Sequence, residues 1–86
     1  MPKQTEQIGI KKSEIDTPVL LVDFDALEYN VGKMADHFLA ANKNLRPHSK
    51  SHKTPEIAKM QLAAGAIGIT CAKLGEAEVM ADAGIQ

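Results

Sequence analysis

The sequence is short of everything that would staple, export or embed it. It holds one cysteine, Cys71, so no internal disulfide can form, and a reducing, cytoplasmic setting is the expectation. No apolar run approaches the length that crosses a bilayer, and the opening MPKQTEQIGIKKSEIDT lacks the apolar core of a signal peptide, so no membrane partner is expected. An excess of one charge is missing too. Lysine and arginine number 10 against 11 aspartates and glutamates, a net charge of -1, which argues against a general nucleic-acid surface or an acidic tail. Length is the last shortage: 86 residues suit one small domain, which would bury only about two thirds of its unfolded surface.

What is there begins with a polar lead-in over 1–17, carrying Lys3, Lys11 and Lys12 and no apolar period, read as mobile or extended. Pro18 closes it, and 18–86 forms the structured part. VLLVD, 19–23, is a β-branched and leucine run of strand length. Asp25 can cap a helix over 26–41, whose Leu27, Val31, Met34 and Phe38 recur at helical spacing. After a turn at 42–44, LRPHSK reads as a second strand, 45–50. Thr54 is a good N-cap with Pro55 at the first helical position, and that helix runs to Ala64 and stops at Gly65. AIGITCAK, 66–73, is a third strand, GEAEVMADAG, 75–84, a third helix, and Ile85 the start of a fourth strand.

Short apolar strands alternating with helices through short loops are the pattern of a parallel sheet built from βαβ units. LAAGAIGI and MADAGI echo each other, each running from a helix end through glycine into a strand. The fold class is therefore α/β. Three such units leave unpaired sheet edges. The expectation is the N-terminal part of a (β/α)8 TIM-like barrel, incomplete in this chain because such barrels need about 250 residues; a small doubly wound sheet is the alternative.

The chemistry concentrates at one junction. Arg46, His48, Lys50, His52 and Lys53 crowd the end of the second strand and the start of the next helix. Alternation puts Leu45, Pro47 and Ser49 on one face and Arg46, His48 and Lys50 on the other, with Lys50 at the carboxyl end, where barrel enzymes keep their chemistry. On the third strand Ile67, Ile69 and Cys71 pack outward, leaving Gly68, Thr70 and Ala72 as a small face with room for a ligand. A lysine so placed can form a Schiff base with a carbonyl if burial and neighbouring positive charge lower its pKa. The same charge, with the helix starts near Thr54 and Gly75, would favour an anionic carbonyl compound such as pyridoxal 5′-phosphate. From the residues alone, a solvated basic turn or a simple anion site stands beside that reading.

Other residues have plainer explanations. His48 and His52 could be metal ligands, but they also suit lining a cofactor site or holding the turn. His37 reads as a surface histidine, Cys71 as a small core residue rather than a reactive thiol, and Met60 and Met80 as packing. Glu76 and Glu78 suit the helix dipole, with Glu76 also able to orient a polar neighbour.

IDTPVLLVDFDALEYNV and then LRPHSKSHKTPEIAKMQLAAGAIGITCAKLGEAEVMADAGI resemble the N-terminal part of the D-threonine aldolase and D-serine dehydratase family. These are fold-type III pyridoxal-phosphate enzymes related more distantly to alanine racemase. The similarity runs from Ile15 to Ile85 and is carried by RPHxKxHK followed by AKxGEAEVMxxAGI. It implies a cofactor-bearing barrel, here an N-terminal fragment, completed by a β-rich C-terminal domain that the strand at 19–23 joins. Lys50 is then the Schiff-base residue, with Lys53 the runner-up, and Arg46, His48, His52, Lys53 and Thr70 line the cofactor site. The implied activity is a lyase acting on D-β-hydroxy amino acids, by retro-aldol cleavage to glycine and an aldehyde or by dehydration; an alanine-racemase-type racemase and a catalytically silent binding fragment are the alternatives. The resemblance also implies a homodimer and a divalent metal (Mn, Mg or Zn) whose ligands lie outside this chain.

Overall fold

The computed structural model describes residues 9–86; the first eight residues of the expected lead-in lie outside the described residues. From Gly9 the lead-in is not wholly extended. A single 3-10 turn, Lys12–Glu14, is closed by the Glu14 amide on Lys11 O (2.9 Å).

Three α-helices follow: α1, Phe24–Ala40; α2, Pro55–Ala63; and α3, Leu74–Asp82. Helix α1 starts two residues earlier than its apolar period suggests. Asp23, not Asp25, is the cap: its backbone is extended and its Oδ1 accepts the Ala26 amide at 3.1 Å, while Asp25 sits in the first turn, where a carboxylate favours the helix dipole. Leu27, Val31, Ala35 and Phe38 form the half-buried stripe, and Met34 is about half exposed. Thr54 occupies the cap position of α2 without capping it, because its hydroxyl donates to His52 O at 2.6 Å.

All three helices stop the same way. Asn42, Gly65 and Gly84 take positive φ angles of 55°, 120° and 91°. Around each, two amides fold back onto the last turn: Asn42 and Lys43 to Leu39 and Phe38, Gly65 and Ala66 to Leu62 and Gln61, Gly84 and Ile85 to Ala81 and Met80. This is the Schellman arrangement, and it explains the echo between LAAGAIGI and MADAGI in backbone terms.

The expected strands are where sequence and structure part. Among the described residues no strand forms at 19–23, 45–50, 66–73 or from Ile85; one parallel bridge joins His48 to Thr70. The bridge is sound, with Thr70 N to Pro47 O and Ser49 N to Thr70 O both at 2.9 Å. It cannot extend toward Leu45 in regular register, because Pro47 has no N–H to give to Gly68. Instead Ile67 N reaches Leu45 O at 2.9 Å, so one segment carries an extra residue, as in a bulge. The run at 19–23 has no ladder partner, and Leu20 is 96 % exposed. Ile85 closes the cap of α3 rather than opening a strand, and it is buried with Ala58 and Met80. Leu62, Ile69 and Cys71 pack on that core, as expected for the outward face of 66–73, whereas Ile67 is exposed.

Candidate active site at the bridged segments

The bridge fixes the local geometry. Paired residues on neighbouring extended segments point to the same side, so His48 and Thr70 share a face. Arg46 and Gly68 meet on that face as well. A Cβ on Gly68 would lie 2.5 Å from Arg46 Nη1 and 3.2 Å from its Cζ, so the guanidinium rests on the bare backbone. The space expected over Gly68 is thus filled by Arg46.

Ser49, on the opposite face, is the hub that alternation alone did not single out. It is fully buried, and each of its polar groups is engaged. Its amide donates to Thr70 O (2.9 Å), its carbonyl accepts the Lys53 amide (2.8 Å), and its hydroxyl donates to Glu76 Oε1 (2.5 Å). Cys71 Sγ stands 3.6 Å from Ser49 Oγ. A signal was available in the sequence: a serine on the core-facing side of a segment needs a buried polar partner, and Glu76 is the carboxylate that returns to it.

Glu76 therefore does more than favour the dipole of α3. The Ser49 hydrogen bond holds its carboxyl below the usual carboxylate range. Partial burial pulls the other way, and the Ala72 amide with the positive charges of His48 and Lys53 add to the lowering.

Lys50 begins the turn that follows. Its side chain is exposed, and its amide donates to His48 Nδ1 at 3.1 Å. The turn closes through the Lys53 amide on Ser49 O, with Lys53 at φ 51°. His52 Nδ1 accepts the Thr54 amide at 2.9 Å. Both histidines hold the turn through Nδ1. The structure brings Arg46, His48 and Thr70 to one face, with Lys50 one turn position beyond. Lys53 lines a cleft with Lys73 and Glu76. His52 points elsewhere, into an apolar cleft between α1 and α2 lined by Leu27, Val31 and Ile57, where its Nε2 is buried without a partner. Among the described residues no group of three or more His, Cys, Asp or Glu side chains is arranged to hold a metal ion, and no helix is long and apolar enough to cross a membrane.

The family model for the alanine racemase N-terminal domain matches residues 22–86. The chain belongs to that family. Within it, the chain is 43% identical over 79 residues to a 3-hydroxy-D-aspartate aldolase of Paracoccus denitrificans, covering 91% of this chain and 20% of that protein. It is 45% identical over 80 residues to a D-threonine aldolase of an Arthrobacter species, covering 93% and 21%. Among solved structures, the D-threonine aldolase of Filomicrobium marinum superposes with a TM-score of 0.84 at 53% identity, covering 87% of this chain and 20% of that one. A mutant D-threo-3-hydroxyaspartate dehydratase superposes at 0.81 with 40% identity, covering 84% and 18%. The chain thus spans about a fifth of the length of the relatives it matches, and the bridge, α2 and α3 all fall within the stretch matched by the family model.

Proposed function

We propose that this alanine-racemase-like segment carries the cofactor lysine of a pyridoxal-phosphate-dependent lyase acting on D-β-hydroxy amino acids, and that Lys50 is that lysine. The observation that carries the reading is the junction itself: an exposed amine directly after the bridged segment, with its own amide tied to His48 and its preceding residue anchored on three sides. The donor set suits a phosphorylated carbonyl compound. Lys50 offers the primary amine, Arg46 offers positive charge to a phosphate, and His48 and Thr70 offer an imidazole and a hydroxyl on the same face.

When bound, the cofactor supplies an electron sink for the bond broken at the substrate Cα. Lys50 Nζ holds the cofactor between turnovers and retakes it after product leaves. Arg46, resting on Gly68, presents a guanidinium fixed against backbone rather than swinging in solvent. In the aldolase reading the substrate β-hydroxyl loses its proton, the Cα–Cβ bond breaks, and protonation at Cα completes glycine beside the released aldehyde. The names of the Arthrobacter and Filomicrobium relatives favour this reading, while the dehydratase among the solved neighbours supports loss of the β-hydroxyl as the second. The divalent metal implied by the resemblance has no donor set among the described residues.

The test uses the protein that carries this sequence, incubated with pyridoxal phosphate, reduced with borohydride and mapped by peptide mass. A pyridoxyl adduct on Lys50, abolished in Lys50→Ala and kept in Lys53→Ala, is expected. An adduct that persists at full yield in Lys50→Ala sinks the assignment. Offering D-threonine and D-threo-3-hydroxyaspartate then separates glycine release from keto-acid release.

A further inference from the structure

Ser49 and Glu76 are not explained by cofactor binding. Neither faces the side shared by Arg46, His48 and Thr70, yet Ser49 is fully buried and joined by side chain or backbone to both bridged segments and to α3. Its carbonyl closes the turn that contains Lys50, and its amide is locked to Thr70. A hydroxyl bonded to a carboxylate is the strongest of these ties, because one partner is ionised and the contact is partly buried. Glu76 lies in the first turn of α3, so this one hydrogen bond ties the turn that follows the first bridged segment to the helix that follows the second.

We infer that Glu76, acting through Ser49 Oγ, is a positioning residue that sets the direction in which Lys50 leaves the backbone and thereby selects Lys50 over Lys53 as the reactive amine. This rests on the reading of Lys50 as the cofactor lysine. The two lysines are three residues apart on one turn, and Lys53 already lies in the cleft beside Glu76 and Lys73. What distinguishes them is that Lys50 follows a residue pinned at its amide, hydroxyl and carbonyl, whereas Lys53 sits at a strained positive φ beyond the pin. Loss of the pin frees the turn 49–53 to re-form, and the choice between two neighbouring amines loses its cause.

The measurement is the ratio of borohydride-trapped pyridoxyl adduct on Lys50 to that on Lys53, at limiting cofactor, in the protein carrying this sequence. In Ser49→Ala and Glu76→Ala the ratio is expected to fall about tenfold or more, as loss of a hydrogen bond to a charged group implies. Glu76→Gln, whose amide oxygen still accepts from Ser49, is expected to retain most of it. Ala58→Gly serves as the control, since it loosens the core without touching the pin; it is expected to lower the melting temperature and leave the ratio unchanged. A ratio unchanged in Ser49→Ala and Glu76→Ala overturns the inference, and so does an equal fall in Ala58→Gly, because the effect is then one of stability alone. Absence of a Lys50 adduct in the unaltered protein overturns the functional reading instead, so the two failures are distinct.

Discussion

Two regions of the described chain, 45–85 and 19–40, are closed to different degrees. Around the bridge, residues 45–85 satisfy polar groups first and bury little: Ser49, Ala58, Met80 and Ile85 are the buried anchors, and the junctions are held by Thr70 O, Ser49 O and the Glu76 carboxylate. From 19 to 40 burial is slighter still. Val19, Leu20, Leu21, Val22 and Phe24 are apolar and exposed, and α1 has no fully buried residue. The difference teaches that hydrogen-bond closure between neighbours in space can define a functional junction even where apolar burial is slight, whereas an apolar run with no ladder partner stays open however strongly its composition favours a strand.

The sharpest way to break that contrast is a pair of truncations. Met80→Ala, in the buried core, is expected to destabilise the protein by about 2–5 kcal/mol, while Leu20→Ala is expected to stay within about 0.5 kcal/mol. Denaturant midpoints of the two variants check this. If Leu20→Ala costs as much as Met80→Ala, the 19–23 run is covered in solution and the contrast fails. Next in size is Gly65→Ala. At φ 120° an alanine is strained, and a loss of more than about 1 kcal/mol is expected, read as a fall in melting temperature. Asp23→Ala removes the α1 cap and is expected to cost about 1 kcal/mol, with faster amide exchange confined to the first turn of α1; exchange that also spreads to 45–53 would show the two regions to be coupled.

The smallest effect is expected from acid. Glu76 has its carboxyl lowered from an ordinary 4.5, so its stabilising contribution is complete above that value and is lost as pH falls below it, through the lowered pKa. Amide exchange at Ser49 and Lys53 is expected to stay slow at mildly acidic pH and to quicken only below the ordinary carboxylate range. Onset at a pH above 4.5 would contradict the Ser49–Glu76 bond as the tie that holds the junction.

Helix positions were legible because they rest on local chemistry: the Leu27, Val31 and Phe38 stripe, Pro55 at a first turn, Gly65 and Gly84 at positive φ. The basic junction was legible too, as a cluster of residue types at one segment end. Strand formation was not. A ladder is a property of two segments, and neither LRPHSK nor AIGITCAK shows by itself that Pro47 will interrupt their pairing after one bridge. The cap at Asp23 was misread in favour of Asp25 for a related reason, since both lie in range and only the backbone direction into α1 chooses between them.

By itself, then, the sequence determined the helix positions and stops and the gathering of Arg46, His48, Lys50, His52 and Lys53 at one junction, because periodicity, glycine conformation and residue chemistry act over a few neighbours. The tertiary structure alone decided that Arg46 rests on Gly68, that His52 turns away into the cleft against α1, and that Ser49 and Glu76, far apart in the chain, meet at 2.5 Å. Those contacts depend on how separate segments are placed against one another, and a hydrogen bond or a close approach exists only once that placement is made.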